Sequence, residues 1–109
     1  MRKIDLTEYQ VLADEGEDEE EKFLPYRVKK SLVNIMFNPA LQLNGEELLA
    51  RNDLARKIRS ADSDILLEDS EWGQLVSAIN TVRGLGEHDV EFARRILKAE
   101  VIEVEEAKS

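Results

Sequence analysis

The chain has 109 residues, no cysteine and a formal net charge of −9 at neutral pH. This length predicts a single domain over residues 1–109. The lack of cysteine excludes disulfides, thiolate metal sites and cysteine nucleophiles. No apolar run reaches the roughly 18 residues of a membrane span, and the first residues contain no apolar stretch of signal-peptide length. We therefore expect a cytoplasmic protein with no membrane partner.

The negative charge is concentrated at the two ends of the chain. Residues 1–22 carry three basic and nine acidic groups, residues 23–99 carry eleven of each, and residues 100–109 carry one basic and four acidic groups. Within the first segment, residues 14–21 read DEGEDEEE, with seven acidic residues out of eight. Like charges in a short run repel and favour an open, hydrated chain. We therefore predict an acidic mobile loop at 14–21 and a disordered tail at 105–109.

Two elements are predicted in the first third of the chain. Weak alternation of apolar residues predicts a strand within residues 2–12. The stretch KFLPYRVKKSLVNIMFNP predicts a helix whose inward side consists of Val28, Leu32, Ile35 and Met36. Pro25 suits the entry to that helix, and Pro39 suits its end. Three further apolar residues are expected to pack near it, namely Phe23, Leu24 and Phe37.

The middle of the chain contains a strong helix-start signal. Asn44 is a favourable N-cap, and Glu47, three residues later, can complete a capping box. The stretch LNGEELLARNDLARKIRSAD forms either one helix or two short ones, the second beginning at residues 52–53. Beyond it, residues 65–67 form either a brief strand or an apolar bridge.

The clearest helical periodicity lies between residues 70 and 83. Its apolar residues form a single stripe, which consists of Trp72, Leu75, Val76, Ile79 and Val82. Gly84 is predicted to end this helix. A last helix is predicted over 87–99, with acids in its first turn, basic residues near its end and an inward face of Val90, Ala93, Ile96 and Leu97. Together these patterns predict a mainly α fold of four to five helices. The alternative is an α+β fold with a small sheet from strands near 4–6, 65–67 and 102–104.

The residue chemistry predicts no catalytic, cofactor or metal site. The acidic run lacks the ligand spacing of a calcium loop, and residues 84–86 lack the glycine and lysine of a phosphate-binding loop. His88, the single histidine, lies between two acidic residues and is better explained as a surface residue than as a general base. We therefore expect that the protein is not an enzyme. A hydrolase that uses His88 and carboxylates is the third alternative.

Two basic clusters are candidate contacts for nucleic acid or for an acidic partner. The predicted helices at 70–83 and 87–99 have the outline of a helix-turn-helix, and the second carries Arg94, Arg95 and Lys98. Its first turn is acidic, however, and that turn of a recognition helix enters the DNA groove, so nucleic acid is disfavoured. The second cluster consists of Arg51, Arg56, Lys57 and Arg59. It can pair with acids, including the 14–21 run, or bind an acidic partner. Mimicry of DNA by the acidic run is a minor alternative.

Four aromatic residues are candidate contacts for a protein partner, namely Trp72, Phe23, Tyr26 and Phe37. Tryptophan and tyrosine dominate the binding energy of many interfaces. Trp72 lies on the best-patterned helix, where a core position is favoured over an interface position. The other three flank the first predicted helix.

The segments NPALQLNGEELLARNDLARKI, ILLE and VEFARRILKAE resemble small acidic proteins of tailed-phage and prophage gene clusters. The likeness covers roughly residues 26–104 and implies an accessory protein that acts by contact with another macromolecule, with no catalytic residue. We therefore predict a non-enzymatic, acidic, helical interaction protein. It would be a phage or prophage accessory or assembly factor in the host cytoplasm, and it would contact another protein or itself. The alternative is a DNA-binding or transcription-regulating module that uses the 70–99 helical pair.

Overall fold

The computed structural model describes residues 1–14 and 22–103. The predicted disordered tail and all but the first residue of the predicted acidic loop lie outside these residues. Within them the chain forms five β-strands and four α-helices. In chain order these are β1 (Arg2–Asp5), β2 (Tyr9–Asp14), β3 (Lys22–Tyr26), α1 (Val28–Met36), α2 (Gly45–Ser60), β4 (Asp64–Leu67), α3 (Asp69–Thr81), α4 (Val90–Leu97) and β5 (Glu100–Val101). Short 3-10 helices precede α2 at Pro39–Leu41 and α4 at Glu87–Asp89.

The fold is α+β, so the prediction of a mainly α protein is wrong. Strands β4, β1 and β5 form an antiparallel sheet in that order. The alternative prediction of a small sheet is confirmed near 4–6 and 65–67, but the third strand lies at 100–101 rather than at 102–104. The sequence understates this sheet because each strand is two to four residues long and finds its partner far away along the chain.

This sheet buries one face against the helices. Ile4 pairs with Ile65 in the register of β1 and β4, and both side chains point inward. The neighbouring pair, Lys3 and Leu66, lies on the exposed face. This alternation follows from the two-residue period of a strand. The sheet therefore supplies one wall of a core whose other walls are helical.

The helices complete the core largely as their periodicity predicts. The inward side of α1 is confirmed, since Val28, Leu32, Ile35 and Met36 are all buried. Residues 45–60 form one continuous helix rather than two. The predicted capping box at its start is confirmed, because the Asn44 side chain accepts a hydrogen bond from the Glu47 backbone N–H and the Glu47 carboxylate accepts one from the Asn44 N–H. In α3, Leu75 and Ile79 are buried and the other stripe residues are half-buried.

Helix α4 faces the core with a different set of residues from the predicted one. Val90 is 53% exposed and Leu97 is also exposed, so their predicted inward position is wrong. The predicted inward position of Ile96 is confirmed, and Phe92 and Ala99, the latter just beyond the helix, are buried as well. The large phenylalanine ring thus occupies the interior in place of Val90 and Leu97. Gly84 has a left-handed backbone (φ 88°), but α3 already ends at Thr81, so Gly84 lies in the connection rather than at the helix end.

Strands β2 and β3 form a separate antiparallel hairpin that sequence periodicity does not reveal. Pro25 lies inside β3, opposite Gln10, so its predicted place at a helix entry is wrong. Phe23 and Leu24 precede it in the same strand and are exposed, so their predicted packing near α1 is wrong as well. This hairpin is the part of the described structure that differs most from the expectations.

Candidate protein-interaction surface

The base of the β2–β3 hairpin is fixed to the body of the protein by three aromatic rings. Tyr9 and Tyr26 are cross-strand partners, and their rings stack with centroids 4.7 Å apart and planes 10° apart. The Tyr26 ring also contacts the buried Phe92 ring of α4, with centroids 5.5 Å apart and a tilt of 39°. Offset or tilted aromatic pairs contribute roughly 0.5–1.5 kcal/mol beyond their buried area. The hairpin therefore leaves the body from a defined position.

Both tyrosine hydroxyls at this base are engaged by the segment that leads into α4. The Tyr9 hydroxyl donates to the His88 carbonyl (3.0 Å) and accepts from the Phe92 backbone N–H (3.0 Å). The Tyr26 hydroxyl donates to the Asp89 carboxylate, whose other oxygen accepts from the Gly86 N–H at 2.9 Å. Burial raises the pKa of Tyr9, and burial together with the Asp89 carboxylate raises the pKa of Tyr26. Both phenols therefore stay protonated donors at neutral pH.

Arg95 completes the base from the other side. Its guanidinium lies 4.9 Å from the Tyr9 ring centroid and donates to the carbonyls of Asp5 (3.2 Å) and Thr7 (2.6 Å). Its Nε also donates to Glu91 at 3.0 Å, and hydrogen bonds from this arginine are the main reason that the pKa of Glu91 is lowered. With its side chain only 14% exposed, Arg95 links β1, β2 and α4.

The outer half of the hairpin is apolar and uncovered. Phe23 is 54% exposed and Leu24 is 56% exposed, and they lie on opposite faces of the ribbon because neighbouring strand residues alternate. Their cross-strand partners, Leu12 and Val11, are half-buried. Within the described residues, this ribbon has two strands and no third one pairs with it. Among the described residues, Phe23 and Leu24 therefore offer apolar surface on the two faces of the ribbon, and its strand edges carry no further strand.

Trp72 and Phe37 serve the body of the protein rather than this surface. The Trp72 indole N–H donates to the Ile96 carbonyl at 2.8 Å, and the Arg2 guanidinium lies 4.0 Å from the ring centroid. Both aromatic residues are half-buried against the core. The four aromatic candidates are thus separated: Phe23 is on the open hairpin, Tyr26 is at its base, and the other two pack against the body.

The candidate basic residues are also divided among different roles. Arg51 is buried (8% exposed), whereas Arg56, Arg59, Arg94 and Lys98 are exposed. Lys57 forms an ion pair with Glu71 at 2.8 Å, and Arg94 forms one with Glu91 at 2.7 Å. The C-terminal cluster is therefore partly neutralised by an acid on its own helix.

A concave site beside β1 has mixed charge. It lies between β1, the start of β4 and the end of α4, with a volume of about 440 Å³. Three basic and three acidic residues line it, namely Lys3, Arg95 and Lys98, and Asp5, Asp64 and Glu100. The pKa of Asp5 is lowered, chiefly because the Thr7 hydroxyl donates to its carboxylate. No group of three or more histidine, aspartate or glutamate residues that could hold a metal ion occurs in 1–14 or 22–103.

Comparison with known proteins adds no relative to this description. No protein-family model matches the chain, and neither a curated protein nor a solved structure matches it. In the part of the chain that the structure describes, no helix is long and apolar enough to cross a membrane.

Three residues that form or support the hairpin are not predicted as site residues by the sequence. Tyr9 lies within the predicted strand at 2–12, Phe92 is not among the predicted inward residues of the last helix, and Leu24 is predicted to pack near the first helix. One usable signal was the pair of tyrosines that flank the acidic run at similar distances, Tyr9 before it and Tyr26 after it. An acidic, glycine-containing connection between two short apolar runs is compatible with a hairpin.

Proposed function

We propose that the protein is a non-enzymatic interaction protein that binds another protein through the outer half of the β2–β3 hairpin. The observation that carries this proposal is the exposure of Phe23 and Leu24 on a ribbon whose base is firmly packed. An isolated two-stranded hairpin is marginally stable in water. A partner that adds a strand or covers one face would remove that weakness.

The two exposed side chains would supply part of the binding free energy. Burying one large apolar side chain completely contributes roughly 1.5–3 kcal/mol, and Phe23 and Leu24 are each about half exposed, so covering both contributes about 1.5–3 kcal/mol before the cost of association is subtracted. The half-buried Val11 and Leu12 would extend the same contact. Main-chain hydrogen bonds from an added strand would supply further binding free energy.

The test compares two double variants in binding assays with extract of the native host. In Phe23→Ser/Leu24→Ser we expect loss of a partner that the wild-type protein retains. In the matched control, Val90→Ser/Val101→Ser, two similarly exposed valines outside the hairpin are replaced, and retention should be unchanged. Far-UV circular dichroism checks that both variants fold. Equal retention by both variants, or a wild-type protein that retains nothing and does not self-associate, would contradict the proposal.

A phage or prophage accessory or assembly role is the biological setting that the resemblance in sequence suggests. Its test is the genomic neighbourhood of the gene. Capsid and tail genes alongside would favour this setting, whereas a replication or repressor block would favour the DNA-binding alternative.

The geometry gives the DNA-binding alternative less support. The segment that would enter the DNA groove is the 3-10 turn Glu87–Asp89, where Asp89 holds Tyr26, and Arg95 is engaged with β1 and β2. Of the C-terminal basic cluster Arg94, Arg95 and Lys98, only Arg94 and Lys98 are exposed. Salt-dependent duplex binding that disappears in Arg94→Glu/Lys98→Glu would support the alternative, and no binding at low salt would end it.

A further inference from the structure

A second surface, on the body of the protein, carries a concentrated positive charge. Helices α1 and α2 enclose a groove of about 330 Å³ that is lined by Lys29, Lys30, Val33, Asn34 and Arg59. We call it the cationic groove. None of its lining residues is acidic. It differs in this respect from the mixed-charge site beside β1, where acidic and basic residues occur in equal number.

The sequence around this groove is free of acids over two helical segments. Residues 27–34 and 55–61 together contain six basic residues and no acidic one, in a chain whose net charge is −9. Lys29 is held in place, because its ammonium donates to the Ala61 carbonyl. In the part of the chain that the structure describes, Lys30 and Arg59 form no ion pair. Among the described residues, Lys30 and Arg59 are thus cations without an ion-pair partner, and they share the groove with the half-buried Val33.

We propose that the cationic groove binds the acidic run, residues 14–21, of a second copy of this chain. The argument is charge complementarity within one sequence: the run has seven carboxylates in eight residues, and the groove has basic residues alone as its charged lining. The inference deepens the proposed function and rests on it, since it names a second copy as a partner of this interaction protein.

The geometry of the hairpin favours a second copy over the same chain. Asp14 and Lys22 are paired at the far end of the ribbon. At about 3.3 Å per residue, the strands hold the two ends of the run roughly 17 Å from Tyr9 and 13 Å from Tyr26. The cationic groove begins three residues after Tyr26, on the side of the body. Asp14 and Lys22, which flank the run, thus lie at the end of the ribbon away from its base, and this placement favours the groove of a second copy.

Nucleic acid fits the groove less well than an acidic peptide does. Single-stranded nucleic acid binds through aromatic platforms that stack on its bases, and no aromatic residue lines the groove. Duplex DNA requires a longer basic stripe than two helical turns supply, and the net charge opposes it. The test therefore compares the binding of duplex DNA with that of the acidic peptide, and the peptide should bind more tightly.

The test measures the binding of a labelled peptide with the sequence DEGEDEEE to the full-length protein by fluorescence anisotropy at low salt. We expect binding that weakens as salt is added, because the charges are exposed. Lys30→Glu/Arg59→Glu should weaken it by about tenfold or more, since two favourable pairs become two repulsions. Arg83→Glu/Lys98→Glu changes the net charge equally, at exposed positions outside the groove, and should bind more tightly than the groove variant. A peptide with glutamine and asparagine in place of the acids should not bind.

Sedimentation of the full-length protein decides whether a second copy is the partner. We expect concentration-dependent association at low salt that is lost in Lys30→Glu/Arg59→Glu. A strictly monomeric protein, equal peptide binding by the wild type and the groove variant, or tighter binding to duplex DNA than to the peptide would overturn the inference. Phe23→Ser/Leu24→Ser should keep its affinity for the peptide, so a failure of the hairpin proposal is distinguishable from a failure of this one.

Discussion

Replacing Phe92 with alanine is expected to destabilise the protein by about 3–5 kcal/mol, the usual cost of removing a buried phenylalanine ring. The ring is buried in the core and supports Tyr26 at the base of the hairpin. Domains of this size have a total stability of roughly 5–15 kcal/mol, so the loss is a large fraction of it. With a urea dependence of about 1.5 kcal/mol per molar, the unfolding midpoint should fall by roughly 2–3 M.

The matched control for this prediction is Val90→Ala on the same helix. Val90 is exposed, so its truncation should change stability by about 0.5 kcal/mol or less. Urea unfolding followed by far-UV circular dichroism and by the fluorescence of Trp72, the single tryptophan, measures both variants. The two residues belong to alternative inward faces of α4. If Val90→Ala were the more costly substitution, the orientation of α4 and the anchoring of the hairpin would both be refuted.

Three further predictions concern the hairpin base and helix α2. Because the pKa values of Tyr9 and Tyr26 are raised on folding, their contribution to stability should be complete below about pH 10 and lost as the pH rises above it. Tyrosinate absorbance measures this directly, and neither tyrosine of the native protein should titrate at the usual value. Asn44→Ala removes the capping box and should lower stability by about 1 kcal/mol, or the melting temperature by about 4 °C, in a calorimetric scan. Arg51→Met should be neutral or stabilising by about 1 kcal/mol, because the Arg51 Nε is buried and has no hydrogen-bond partner among the residues that the structure describes. Arg56→Met, at an exposed site, should have little effect in the same scan.

The sequence predicts the helical features that arise between residues close together in the chain. The α1 stripe and the Asn44 capping box involve residues three or four positions apart, and the structure confirms both. A single contiguous helix over 45–60 was one of two predictions, and the sequence alone could not choose between them. Residues 45–50 are exposed, whereas Leu54 and Ile58 are buried, so the choice depends on the packing of the second half of the helix rather than on spacing.

The strands were harder to predict because their stability comes from distant partners. Ile4 is paired with Ile65 across about 60 positions, and four residues of alternation carry little information alone. In β3, Pro25 reads as a helix entry because proline is favoured there. The hairpin tolerates it because each strand of a two-stranded ribbon is an edge strand, where an unpaired position is available. The candidate site is predicted only in part for the same reason: Phe23 is among the predicted partner contacts, whereas Leu24 looks like a core residue until the hairpin is known.

Binding at the two proposed surfaces is expected to respond oppositely to salt, because one surface is apolar and the other is charged. Exposed apolar edges promote uncontrolled pairing, and charged residues placed next to them oppose it. The acidic run follows β2 directly and precedes the exposed Phe23 and Leu24, so it is positioned to prevent nonspecific association of the ribbon. Added salt screens this repulsion and leaves apolar contact intact, whereas it weakens binding at the cationic groove. Self-association that falls with salt would therefore identify the groove as the dominant contact, and self-association that rises with salt would identify the hairpin.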